Sequence, residues 1–118
     1  MTIYPILPVP APRMTRSDKW KQRKCVMAYR HFRDKVREAG IVLPVPGKVT
    51  FYLPMPMSWS AKKRKAMEGQ PHTQRPDWDN LAKALCDALF EEDGHIWGMW
   101  VEKRWAAMPG IKIEPIGV

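Results

Sequence analysis

With 118 residues, the chain has room for one domain and one hydrophobic core, spanning 1–118, without disulfide or zinc staples. Its 20 Lys and Arg against 12 Asp and Glu give a net charge of +8, while 45% apolar residues and six tryptophans exclude a disordered tail. Cys25 and Cys86 have neither Cys-x-x-Cys nor Cys/His spacing, and no apolar run is long enough to cross a bilayer, so zinc modules, secreted disulfide frameworks and membrane proteins drop out and a reducing cytoplasm is expected.

Thr2–Leu7 reads as a short strand, and the Pro8-Val9-Pro10-Ala11-Pro12 run then forces an extended exit towards Arg13 and Arg16. A helix is expected over 17–39, capped by Ser17 or Asp18 and stopped by Gly40. Val26, Tyr29, Phe32, Val36 and Ala39 give it an apolar face opposite Lys19, Arg23, Arg30, Arg33 and Arg37. In Gly47–Pro54, Val49, Phe51 and Leu53 alternate with Lys48, Thr50 and Tyr52, the period of a strand with one buried face. A short helix is predicted over Trp59–Met67 with Ser58 as its cap, holding the basic run Lys62-Lys63-Arg64-Lys65. Gly69–Arg75 is a polar loop. The clearest helix runs from Asp79 to about Glu91 on a stripe of Leu81, Ala84, Leu85, Ala88 and Leu89. Ile96–Ala106 and Ile111–Ile116 complete the chain as strands around a Pro109-Gly110 turn. The order β-α-β-α-α-β-β predicts an α/β (α+β) two-layer sandwich, a small mixed sheet with helices packed on it.

Charge divides unevenly along the chain. Residues 1–76 hold sixteen Lys and Arg against four acids, and residues 77–118 hold four against eight. The basic part suits a nucleic-acid backbone, with Arg13, Arg16, Lys62, Lys63, Arg64, Lys65 and Arg75 as candidate contacts chosen on charge. The acids concentrate in Pro76-Asp77-Trp78-Asp79-Asn80-Leu81-Ala82-Lys83 and in Glu91-Glu92-Asp93. Acids at a helix start also satisfy free amides and the macrodipole, which accounts for one of them well and for two tolerably. Lys83 follows Asp79 by four residues on the same side of the helix, where a plain ion pair stabilises by only a few tenths of a kcal/mol, roughly 0.2–0.5. Hard carboxylate oxygens suit Mg²⁺, or Mn²⁺ in its place, so Asp77, Asp79 and Asp93 are candidate metal ligands and Lys83 a candidate cation beside a phosphate. A helix of about twelve residues rises roughly 18 Å. Asp93 therefore reaches Asp79 only if the chain doubles back beneath the helix start, or if a second subunit supplies it. His95 is a further, weaker candidate.

The run from Pro76 to Leu89 resembles the signature of the RusA family of Holliday-junction resolvases, approximately P-D-x-D-N-L-x-K-x-x-x-D-A-L. Glu92-Asp93 resembles the acidic pair that follows it, and Pro8 to Arg13 the proline-rich entry. The resemblance implies a homodimeric, Mg²⁺-dependent endodeoxyribonuclease that nicks four-way DNA junctions in pairs during recombination and repair, often encoded by phages and prophages. It places the essential acids at Asp77, Asp79 and Asp93, with Glu92 competing for the third position, and the functional lysine at Lys83. No small-molecule cofactor is implied. The readings from other classes are a non-catalytic junction-binding protein whose acids are structural, and an RNA-directed nuclease.

Overall fold

The computed structural model describes residues 2–12 and 24–117. Its elements are β1 (Thr2–Tyr4), α1 (Lys24–Ala39), β2 (Gly47–Pro54), α2 (Ala61–Met67), α3 (Trp78–Leu89), β3 (Met99–Ala106) and β4 (Gly110–Pro115). The predicted order of elements holds. Residues 17–23 of the first expected helix lie outside the described residues, as do Arg13 and Arg16.

The sheet runs β1-β4-β2-β3. Alternation in β2 puts Val49, Phe51 and Leu53 on the helix side, where all three are buried. β2 pairs antiparallel with β4 and parallel with β3, so Ile113 and Val101 flank Val49, and Ile111 and Lys103 flank Phe51. α1 contributes Phe32 and Val36 to this core, and α3 contributes Leu81, Ala84, Leu85 and Ala88. Truncating a fully buried leucine such as Leu85 costs about 2–5 kcal/mol, so this stripe holds α3 in place. Arg37 of α1 donates from Nε to the Ala88 carbonyl at 3.0 Å, placing a cation at the C-terminal end of α3. The opposite sheet face carries a polar ladder: Glu102 accepts from Arg104 at 2.9 Å and from Trp100 Nε1 at 3.0 Å, and pairs with Lys48 at 3.7 Å. One face under helices and one face of polar side chains is the expected two-layer α+β sandwich.

Several local expectations change, and β1 ends at Tyr4, short of Leu7. β3 starts at Met99, so 96–98 belong to the preceding loop. α2 is capped by Ser60, whose hydroxyl accepts from the Lys63 amide at 3.2 Å, and Ser58 lies upstream of the cap. α3 ends at Leu89, because Phe90 is extended while its amide closes the last turn on Cys86. Ala39 is exposed at the end of α1, just before Gly40 takes the positive φ of 64° that stops the helix.

β3 is an edge strand, and the loop after α2 covers part of its free side. The Gly69 amide donates to Trp105, the Trp105 amide to Gln70 and the His72 amide to Lys103, all within 2.8–2.9 Å. The chain is thus carried along β3 directly to the start of α3.

Candidate nucleic-acid and metal site

Asp77 is the N-cap of α3, with extended backbone (φ −71°, ψ 145°), while Asp79 lies in the first turn. Both are exposed. The Asp77 backbone carbonyl accepts from Leu81, but its carboxylate makes no cap hydrogen bond. The side chain therefore does not perform the ordinary task of an N-cap acid. Its oxygens satisfy no helix amide, and the residue is exposed.

Beneath the loop lies a cation that sequence reasoning missed. Lys103 donates from Nζ to the Gln74 carbonyl at 2.6 Å and to the Pro76 carbonyl at 2.8 Å, latching the residues just before Asp77 onto β3. Burial lowers its pKa, and the neighbouring Asp77 carboxylate acts in the opposite sense. The signal was present in the sequence: Lys103 shares the inward register of β3 with Val101 and Trp105, where an apolar residue is expected. A lysine in that register needs acceptors, and the loop carbonyls provide them.

Lys83 is exposed one turn along α3 and pairs with Asp87 at 3.8 Å, so the row of charges anticipated from spacing is present on the helix surface. Asp87 also accepts from the Tyr29 hydroxyl at 3.5 Å, and burial together with that carboxylate raises the tyrosine's pKa. Asp93 lies past the other end of α3. It is close enough to Cys86 that, after burial, its charge is the next cause pushing that thiol up to about 11. Among the described residues, no three His, Cys, Asp or Glu side chains converge closely enough to hold a metal ion. His95 packs edge-on against Phe90 at 4.7 Å, a packing role.

The basic candidates separate by what they touch. Arg64 donates to the carbonyls of Pro56 at 2.8 Å and Trp59 at 3.3 Å, holding the turn before α2. Lys62, Lys63 and Lys65 are exposed on a helix that buries no residue, with Lys63 Nζ 4.3 Å above the Trp59 ring. Arg75 is exposed and lines a hollow of about 570 Å³ with Pro10, Ala11, Pro76, Asp77 and Asn80. The proline-rich entry closes that hollow through the Ala11 amide, which donates to the Asn80 carbonyl at 3.2 Å. Of the tryptophans near the third acid, Trp105 is core, whereas Trp97 and Trp100 are 72% and 60% exposed.

A small α+β sandwich that presents paired acids and a lysine on one helix of a basic domain has the makings of a phosphodiester-directed protein. The family model for endodeoxyribonuclease RusA matches residues 5–114, and the chain belongs to that family. Membership places it among endodeoxyribonucleases and implies activity on Holliday junctions. No curated protein and no solved structure matches the chain. No helix among the described residues is long and apolar enough to cross a membrane.

Proposed function

We propose that the protein is a divalent-metal-dependent, structure-selective endonuclease that resolves four-way DNA junctions by paired nicks as a homodimer. The observation that carries this reading is the Asp77 carboxylate, which stands exposed at the start of α3 without capping it, beside Asp79 one turn before Lys83, in a chain of the RusA family. Asp77 and Asp79 offer the hard oxygen donors that Mg²⁺ or Mn²⁺ takes, so the donor set fits such an ion. An ion held there supplies a water of lowered pKa and neutralises charge on the phosphoryl oxygens. The chain's own residues do the rest. Lys103 fixes the loop so that Asp77 and Asp79 keep their placement. Lys83 gives a cation one turn further along the surface on which the phosphate lies. Arg75 and the lysines of α2 hold the DNA backbone.

In this reading the third carboxylate, Asp93, reaches the site from a second protomer. Within one chain it belongs to the far end of α3, a helix whose twelve residues rise roughly 18 Å. A two-fold dimer also matches the near two-fold symmetry of a four-way junction and gives two sites for two nicks.

The direct test incubates a mobile four-way junction with the wild type and with Asp79→Asn, in Mg²⁺ and in Mn²⁺. Paired nicks by the wild type, with binding but no cutting by the variant, are expected. Binding without cutting by both proteins in either metal would instead make this a junction-binding protein whose acids are structural.

A further inference from the structure

A second recess, of about 370 Å³, opens beside the start of α3. Leu7, Pro8, Leu53, Pro54, His72 and Trp105 form much of its wall. It shares Pro10, Arg75 and Pro76 with the hollow at Asp77 and Asn80, so the two adjoin, with Arg75 lining both. Its size falls within the range of small-molecule sites, about 300–1,000 Å³.

His72 is the unexplained residue in this wall. It is only 6% exposed, and its Nδ1 has no hydrogen-bond partner. A buried polar atom left unpaired costs free energy that an apolar residue would avoid. The backbone of His72 and Gln74 lies close enough to the ring to favour its charged form, yet packing itself does not call for a histidine here. Its backbone amide binds the Lys103 carbonyl, which any residue except proline would do, and its ring lies 4.1 Å from Trp105, a contact any aromatic ring would make. Trp105 in turn lies 4.7 Å from Trp59, so His72 ends a short row of tilted aromatic rings.

We infer that this recess seats a single nucleobase, displaced from its stack next to the phosphate at Asp77 and Asp79, and that His72 is the residue discriminating among bases. The inference rests on the reading of the protein as a nuclease of branched DNA. Apolar walls beside a row of aromatic rings accept the face of a base, and an imidazole offers hydrogen bonding to its edge. Arg75, lining both hollows, is placed for the phosphate that joins them. Branch points supply such a base readily, because unstacking costs least where pairing is already interrupted.

The test uses junctions carrying 2-aminopurine at branch-point positions, bound to the Asp79→Asn protein without divalent metal, so that it does not depend on cutting. A fluorescence rise on binding is expected. It should be lost when Leu7→Trp, a substitution on the exposed rim, fills the recess. Wild-type cutting should favour some flanking bases by about tenfold, and His72→Phe, which keeps the ring against Trp105, should flatten that preference. Thermal unfolding of each variant confirms the fold. No fluorescence change at any branch position, or the same base preference in His72→Phe, overturns the inference. If the wild type cuts no branched DNA, the nuclease reading falls, and the fluorescence change still decides whether a base enters the recess.

Discussion

Replacing Lys103 with methionine tests whether the latch under the acidic loop positions the site or merely stabilises the fold. Methionine keeps the unbranched stem on the inner face of β3 and removes both donations, at 2.6 Å to Gln74 and at 2.8 Å to Pro76. A hydrogen bond from a charged donor contributes about 1.5–3 kcal/mol in isolation. The ammonium is partly desolvated where it sits, which lowers its pKa and offsets part of that gain. The net loss on substitution is then about 1–2 kcal/mol for the pair, or a fall in Tm of roughly 4–10 °C for a domain of this size.

The effect on cutting should be larger than the effect on stability. The two carbonyls belong to the residues immediately before Asp77, and a displacement of about 1 Å in reacting groups costs about 100-fold in rate. Single-turnover nicking of a four-way junction, measured well below either Tm and beside junction binding, separates the two contributions. We expect a loss of about 100-fold in nicking with binding changed by less than about threefold, and partial recovery with Lys103→Arg, which restores donors. If Lys103→Met lowers Tm as worked out but nicks within about twofold of wild type, the residue holds the fold only, and its part in placing Asp77 is refuted.

Other perturbations address the remaining parts of the reading. Mixing Asp79→Asn with Asp93→Asn protomers should restore single nicks that neither variant makes alone, because a shared site leaves one intact copy in the mixed dimer; continued inactivity would place Asp93 in its own protomer's site. Lys62→Glu with Lys65→Glu should weaken junction binding and reduce the slope of log K against log salt by about two, and an unchanged slope would remove α2 from the DNA surface. Burial, and then the Lys103 charge, lower the His72 pKa below 6.5, so the folded state binds its proton less readily than the unfolded chain. Stability from this residue is complete above about pH 6.5 and is lost as pH falls through the folded value. The acid-side fall in Tm should therefore shrink in His72→Phe, and an identical pH profile would show that the ring does not titrate in that window.

How far each element was legible depends on whether its cause was local. The stripe of Leu81, Ala84, Leu85, Ala88 and Leu89 and the alternation of Val49, Phe51 and Leu53 are burial patterns written at the period of their own element, and all are buried as expected except Leu89, which is half-buried at the end of α3. Ser60 took the cap from Ser58 because Pro56 and Trp59 are bound to Arg64, which holds the turn one step longer than spacing suggested. The placement of Asp93 depends on the direction the chain takes after Phe90, and no periodicity records that. His72 was illegible, and Lys103 legible only as a lysine in an inward register, for another reason: each has a polar group whose partner, or lack of one, is decided by elements distant in sequence.

These two residues belong to one piece of structure, which ties the acids to the sheet. The His72 amide binds the carbonyl of Lys103, and the Lys103 ammonium binds the carbonyls of Gln74 and Pro76, so both ends of the loop 72–76 are fastened to the same residue of β3. Asp77 follows immediately as the N-cap of α3, whose buried stripe packs on the same core. A loop with free ends would leave the spacing of Arg75, Asp77 and Asp79 unfixed. Fastened this way, the loop sets Arg75, Asp77 and Asp79 in a fixed relation, at the cost of partly burying a lysine and burying a histidine where apolar residues would pack more favourably. That cost makes physical sense for a site that must hold its geometry, and little sense for acids whose task was only to cap a helix.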